Sequence, residues 1–442
     1  MIERPWSGRR LHIVGVGGAG MSAYARAAHA LGATVTGSDR ADSPFARTLA
    51  ADGVLAARIG HAAGNLPDGD GVEVFCSTAV GPDNVERLAA LERGLRVRAR
   101  AELLGELTRL RRTIAVAGAH GKTTTSSMIV SALRGCGVDP GYLIGGTLAE
   151  TGRNGDWGSG DWLVVEADES DRSLLALSVE IAVLTSVELD HHAVFGSRLE
   201  LEGVYREFLA GAPEAVIWGR PGLLALRTGR VAPYDVRDFD HAGGGARFST
   251  LDVEVNLRVP GLHNALNAAA ALEVCRIVGV DLERAAGALG RFNGVARRFE
   301  PVGRTPAGAT VYDDYAHHPT EVAATLAAAR TLAPDRLVAV FQPHLYSRTR
   351  ELAREFGESL AAADVVVVLD VYPARERRED FPGVSGRMIA AAAADAAAGR
   401  PVYWMPTAAD AERVLRDLLR AGDLCLVLGA GDVDSLGRRL TA

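Results

Sequence analysis

The stretch Thr113-Ile-Ala-Val-Ala-Gly-Ala-His-Gly-Lys-Thr-Thr-Thr125 constrains the chain more than any other. It reads as an apolar strand to Ala117, a glycine turn over Gly118–Gly121, and a helix opening at Lys122. A helix N-terminus presents unpaired N–H groups and the positive end of the peptide dipole. Glycine lets that backbone approach a phosphate closely. Lys122 has the reach for outer phosphates, and Thr123 can set a hydroxyl on Mg²⁺. Gly118, Ala119, His120, Gly121, Lys122, Thr123 and Thr124 are therefore candidate triphosphate contacts. Val116 stands where the usual phosphate loop has its first glycine, so the turn is a shorter Gly-x-x-Gly-Lys-Thr variant. Lys122 is also the only lysine among the 48 basic residues; every other one is arginine. The two are not interchangeable where a compact ammonium must sit between phosphate oxygens.

At 442 residues the chain has room for about three domains of roughly 150 residues each. The net charge of −7, with both signs interspersed, gives no nucleic-acid footprint. Cys76, Cys136, Cys275 and Cys425 form no C-x-x-C pair, which argues for reduced thiols and against structural zinc. Met1–Arg10 is charged and carries no signal-peptide pattern. Apolar runs such as Val365–Leu369 are too short to span a bilayer. A cytoplasmic protein without membrane insertion is expected, acting as a monomer or weak homodimer.

A second glycine turn lies earlier. The strand Leu11–Val16 leads into Gly15-Val-Gly-Gly-Ala-Gly20, a helical pattern follows from Met21, and the next strand ends at Asp39. Glycines at 15, 17 and 20, with an acid about 20 residues on, make the Rossmann arrangement. Gly18 belongs to the same turn. Ser77 ends a further strand, on the rim where α/β folds bind ligands. Two such turns about 100 residues apart imply two nucleotide-bearing ligands in different domains.

Downstream, apolar strands keep ending in polar clusters. Trp162–Val165 delivers Glu166-Ala-Asp-Glu-Ser-Asp171, where a metal ligand belongs after a phosphate loop; Glu166 leads, with Asp168 and Glu169 as alternatives. Ile181–Leu184 precedes Asp190 and His191, and His191 could bind a metal or position a carboxylate. Gly261-Leu-His-Asn-Ala-Leu-Asn267 opens a helix that Asn264 can cap, with Asn267 pointing an amide outward. Residues 294–300 read as a connector in which Arg297 or Arg298 could meet phosphoryl charge or a carboxylate. A third α/β unit runs from Thr310–Tyr312 into Asp313-Asp-Tyr-Ala-His-His-Pro319, and Leu337–Phe341 into Gln342-Pro-His-Leu-Tyr-Ser-Arg-Thr349. Counting His120 of the glycine turn, seven of the 11 histidines fall in these strand-end and helix-start clusters, which points to one cleft.

Taken together, Gly15–Ser22, Gly118–Thr125, Glu166–Asp171, Glu188–His191, His263–Asn267, Asp313–Pro319 and Gln342–Thr349 resemble the Mur ligase family over nearly the whole chain. The resemblance implies three α/β domains: a Rossmann-like one over 1–110 for a UDP-sugar, a P-loop-type ATPase domain with a mostly parallel sheet over 111–296, and a Rossmann-like one over 297–442 that closes over both. It implies ATP-dependent joining of L-alanine to the lactyl carboxylate of UDP-N-acetylmuramate through an acyl phosphate, with Mg²⁺, in peptidoglycan precursor synthesis. By matching position, Gly15, Gly17, Gly18, Gly20, Asp39 and Ser77 would meet the UDP part. Thr123, Glu166 and His191 would sit by metal, Asn267 by adenine and Asp313 by the ribose. Lys122, His191, Arg298, His317 and His344 would serve the reaction, with Arg348 near them.

The chain departs from the family at Ala119 (usually Thr), Ser186 (usually Asn) and Leu345 (often Arg). With no second lysine it cannot carry the carbamylated lysine that several relatives use, and the alanine-adding branch is the one expected to manage without it. The alternatives are a recycling ligase that joins a preformed peptide to the same UDP-sugar, an NAD dehydrogenase using the first turn, and a non-catalytic nucleotide sensor.

Overall fold

The computed structural model describes residues 4–190 and 194–442. Its contacts divide the chain into two compact units: Met1–Val187 with Leu199–Asp235 and Ala268–Ala288, and Glu188–Arg198 with Val236–Asn267 and Leu289–Ala442.

The first unit contains two sheets. The first has β1 (Arg10–Val14), β2 (Thr34–Asp39), β3 (Arg58–Ile59), β4 (Val72–Cys76) and β5 (Arg96–Ala99), ordered β3-β2-β1-β4-β5 and parallel throughout. Helices α1 (Ala19–Ala30), α2 (Pro44–Ala51), α3 (Val85–Glu92) and α4 (Arg100–Thr108) connect them. The strand order reverses between β1 and β4, and the carboxyl ends of those strands carry the Gly15–Gly20 turn and Ser77. That is the crevice an open α/β sheet offers a ligand.

The second sheet has β6 (Arg112–Ala117), β7 (Gly141–Leu148), β8 (Arg153–Asp156), β9 (Trp162–Glu166), β10 (Ile181–Leu184), β11 (Glu214–Trp218) and β12 (Ala232–Tyr234). Its order is β12-β11-β10-β6-β9-β7-β8, parallel except where β8 runs against β7. Ile114 to Ala117 are fully buried. A parallel strand covered on both faces has no polar side, hence its continuous apolar run. β6 lies between β10 and β9, so the loops after all three share one rim. Helix α5 (Lys122–Gly135) follows the turn.

The second unit holds an antiparallel sheet of β13 (Arg237–Ala242), β14 (Gly245–Thr250) and β15 (Val253–Leu257). In β15, Val253, Val255 and Leu257 face in and Glu254 and Asn256 face out, the period of two of a half-buried strand. Its other sheet has β16 (Glu300–Arg304), β17 (Thr310–Asp314), β18 (Arg336–Phe341), β19 (Val365–Val368), β20 (Val402–Trp404) and β21 (Asp423–Leu428), ordered β16-β17-β21-β18-β19-β20. Only β16 is antiparallel to its neighbour.

Three local expectations change. Asp313 and Asp314 lie inside β17 rather than beyond it. Asn264 does not cap its helix: the helix starts at Leu262, and the Asn264 amide donates to Pro260 O at 2.8 Å. Asn267 does not point outward; it is 8% exposed, with Nδ2 3.5 Å from Asn264 Oδ1.

Candidate active site

The turn after β6 is built by sterics. Gly118 has φ +133°, and a Cβ there would lie 2.1 Å from Thr185 Oγ1. Gly121 starts α5 at φ +81°, and no side chain among the described residues caps the helix. The loop is pinned to the end of β10: Ala119 N–H donates to Ser186 O (3.2 Å), His120 N–H to Ser186 Oγ (3.0 Å), and Thr185 Oγ1 donates to His120 O (2.5 Å). The N–H groups of Ala119 and His120 therefore complete the loop itself. The backbone donors left for an anion are those of the uncapped start of α5.

Lys122 Nζ donates to Gly118 O (2.5 Å) and to both oxygens of Glu169 (3.1 Å each). Burial works against its charge, but Glu169 and Asp168 outweigh it and raise its pKa, so it is a fixed cation. Glu169 is only 2% exposed, so this is a buried pair. Removing either partner strands the other's charge.

Glu166 ends β9, and its Oε1 accepts from Gly145 N–H of β7 at 2.6 Å. Asp168 accepts from Arg100 Nη2 (2.9 Å), and Asp171 from Arg100 Nε (2.7 Å). Burial opposes the Asp168 charge, but Lys122 and Arg100 prevail and hold its pKa at about 2. Thr123 is buried in the first turn of α5. His191, expected beside the metal, lies outside the described residues.

The first turn is closed differently. Gly15 has φ +83° and donates to Ser38 O. Asp39 Oδ2 accepts from Gly17 N–H at 2.8 Å, and Ser43 Oγ donates to Gly17 O at 2.7 Å. Asp39 thus engages the loop backbone. Beneath it, Ser38, His12, His61 and Asn65 all bond the fully buried Glu86 carboxylate, each at 2.8–3.1 Å. Against the burial penalty, these bonds lower the Glu86 pKa to about 2.

In the second unit, Arg348 is 2% exposed and its Nε donates to Asp190 Oδ1 at 2.6 Å. The His317 and His344 rings lie 6.0 Å apart, and His344 stacks on Tyr372 at 5.8 Å. Burial lowers the His317 pKa to about 4 and, helped by His317 and Arg348, the His344 pKa to about 3. Both rings are neutral near pH 7. Arg297 ties the connector to β17 and to the loop after β21, donating to Asp313 Oδ2 (3.1 Å), Gly431 O (3.2 Å) and Gly429 O (2.7 Å). Arg298 lies 3.9 Å from Glu321 and 5.0 Å from the Tyr315 ring. Buried Asp313 keeps an Oδ1 with no hydrogen-bond partner among the described residues, and burial raises its pKa to about 6.

Family models match at two places: the "Mur ligase family, catalytic domain" over residues 10–112 and the "Mur ligase, glutamate ligase domain" over residues 297–431. The UDP-N-acetylmuramate–L-alanine ligase of Rubrobacter xylanophilus is 43% identical, over 98% of this chain and 99% of that one. The chain belongs to the Mur ligase family. Among solved structures, the UDP-N-acetylmuramate–alanine ligase of Thermotoga maritima covers 98% of both chains at 27% identity and a TM-score of 0.83. A murein peptide ligase of Psychrobacter arcticus also covers 98% of both, at 24% and 0.73, a likeness of fold.

Set against the Mur ligase pattern, the departures acquire physical content. Ser186 still reaches the phosphate turn, through its hydroxyl rather than an amide. Ala119 gives the loop only its N–H. Leu345 is buried with φ +72°, a conformation that strains a branched side chain, at the start of the helix bearing Arg348. Arg100, Gly145, His12, His61 and Glu86 are site neighbours the sequence motifs did not single out. Arg100 had one legible signal: it directly follows β5, on the same rim as Ser77.

Proposed function

We infer that this chain joins L-alanine to the lactyl carboxylate of UDP-N-acetylmuramate, coupled to cleavage of ATP to ADP and phosphate, in peptidoglycan precursor synthesis. The observation that carries this reading is the 43% identity, end to end, to a relative bearing that name. In this reading residues 1–110 bind the UDP-sugar, 111–296 bind ATP, and 297–442 close over both. The setting is the cytoplasm; among the described residues no helix is long and apolar enough to cross a membrane.

A lactyl carboxylate oxygen attacks the γ-phosphorus, and ADP leaves. The alanine nitrogen then attacks the acyl carbon, a proton departs from nitrogen, and phosphate leaves the new amide. Both first reactants are anionic, so catalysis is chiefly charge neutralisation and in-line placement. Lys122 and the N-terminus of α5 supply fixed positive potential against the triphosphate. The oxygen donors Thr123 and Glu166 suit Mg²⁺, which would neutralise phosphate charge there. The unpaired Asp313 oxygen suits a ribose hydroxyl, and buried Asn267 an adenine edge. Arg348 is suited to a carboxylate, and the neutral His317 and His344 to the amine.

The test is phosphate release from ATP with UDP-N-acetylmuramate, scanned over amino acids and a preformed tripeptide. L-alanine should give the fastest release. Preference for the tripeptide would move the chain to peptide recycling, and release with no amine would remove both.

A further inference from the structure

Arg100 stands where the two nucleotide-type rims of the first unit meet. It directly follows β5, on the carboxyl rim of the first sheet. Its guanidinium reaches the carboxyl rim of the second, donating to Asp171 through Nε (2.7 Å) and to Asp168 and Ser173 through Nη2 (2.9 and 3.3 Å). Its Nη1 turns the other way. A Cβ on Gly20, the last glycine of the first turn, would lie 3.3 Å from it. Asp168 directly precedes Glu169, which holds Lys122 Nζ at 3.1 Å, so the path from Gly20 to Lys122 runs through one guanidinium and two successive acids.

The surrounding structure leaves little slack. Asn154 of β8 donates to Ala19 O and to Ser22 Oγ, at the start of α1. A Cβ on Gly155 would sit 2.8 Å from Ala23 Cα, so this strand and α1 touch backbone to backbone. Across the hairpin, Gly145 holds Glu166. The first turn thus abuts a packed interface across which Arg100 forks between two acids.

We propose that Arg100 is a positioning residue that couples the two glycine turns, so that a sugar nucleotide on the first tightens triphosphate binding on the second. The ligand's diphosphate adds negative charge beside Nη1 and draws the guanidinium toward Gly20. Asp168 and Asp171 follow, and the carboxylates around Lys122 shift with them. The ammonium is then released from Glu169 toward phosphate. This rests on the functional reading above.

The experiment is calorimetric titration of the full chain with a non-hydrolysable ATP analogue and Mg²⁺, with and without saturating UDP-N-acetylmuramate. In the wild type the sugar nucleotide should tighten the analogue by about fivefold or more. In Arg100→Ala that factor should fall to within about twofold of unity, while the analogue alone still binds. Arg100→Lys should recover little, because one compact ammonium cannot span from the Asp168–Asp171 acids to Gly20 as the guanidinium does. Asp171→Asn should lose the coupling similarly, and the double variant should lose no more than either single one. If Arg100→Ala does not unfold cooperatively, Asp171→Asn decides. An unchanged factor in the variants, or none in the wild type, overturns the coupling. A wild type that does not bind UDP-N-acetylmuramate overturns the functional reading instead.

Discussion

The two glycine turns of the first unit follow central strands of parallel sheets and open helices, yet they are finished by opposite chemistry. The turn at Gly15–Gly20 is closed by an acid: Asp39 and Ser43 clamp Gly17 from both sides. The turn at Gly118–Gly121 is closed by hydroxyls at a strand end, and it carries an ammonium parked on Glu169. In the first, both backbone groups of Gly17 are held by neighbouring side chains. The second holds an ammonium on Glu169 that, in the proposed reading, changes partners when a triphosphate enters. Damage to the first should therefore appear as weakened binding, and damage to the second as lost rate.

Lys122→Ala should break this contrast most severely. Phosphate release should fall by about a hundredfold or more, the scale of a lost preorganised electrostatic group, with the KM for the UDP-sugar little changed. Lys122→Arg should not restore it. Near-normal turnover in Lys122→Ala would abolish the distinction.

Paired glycine substitutions come next. Gly118→Ala must move the end of β10 and hold an L-residue at φ +133°; about 1–3 kcal/mol of stability should be lost, read by urea unfolding, along with most turnover. In Gly17→Ala the new Cβ would meet Ser43 Oγ at 2.7 Å and Asp39 Oδ2 at 2.9 Å, the ends of side chains. It should raise the UDP-sugar KM and largely spare kcat. Identical kinetic signatures in the two would show that the turns do not differ in role.

Asp39→Ala leaves the buried Gly17 N–H unpaired and should cost about 1–3 kcal/mol in urea unfolding. Asp39→Asn keeps an oxygen acceptor and should cost less. Equal costs would mean that the charge, not the loop bond, is what matters.

The smallest effect concerns the second unit, whose rim presents neutral rings. His317 and His344 have pKa values held near 4 and 3, below their unfolded value, so the unfolded chain takes up their protons first. Their contribution is intact above about pH 6.5 and declines as pH falls toward 4. Asp313 and Asp314, both raised to about 6, work oppositely: their burial favours the protonated form, so they gain stability as pH falls. Asp190, Glu321 and Arg348 face the same rings. Urea midpoints at pH 7.5 and 5 should differ modestly, and His344→Gln should shift the balance toward greater acid tolerance. A steeper loss in that variant would contradict neutral burial of the ring.

Strands β6, β9, β10 and β18 were legible because both their faces are buried, which writes them as unbroken apolar runs ending at polar clusters. The β7–β8 hairpin was not, because Gly145 and Gly155 stand where backbones and carboxylates crowd in, and a strand thinned by glycine has little periodic signal. Asn264 sits where a cap reading is natural; Gly261 at φ +99° starts the helix earlier and removes the vacancy. Arg100 hides among neighbouring arginines, since its partners are 68 and 71 residues away. Asp39 shows the limit of a spacing rule: the motif gives the acid's position, but the acceptor geometry at Gly17 decides what it holds.

That the chain's sole lysine lies in a structured turn makes the protein its own reporter. A protease cutting only after lysine has a single target here, between Lys122 and Thr123, and must unwind the first turn of α5 to reach it. The rate of that one scission measures how often the catalytic loop opens, and each ligand that slows it can be ranked without following the reaction at all.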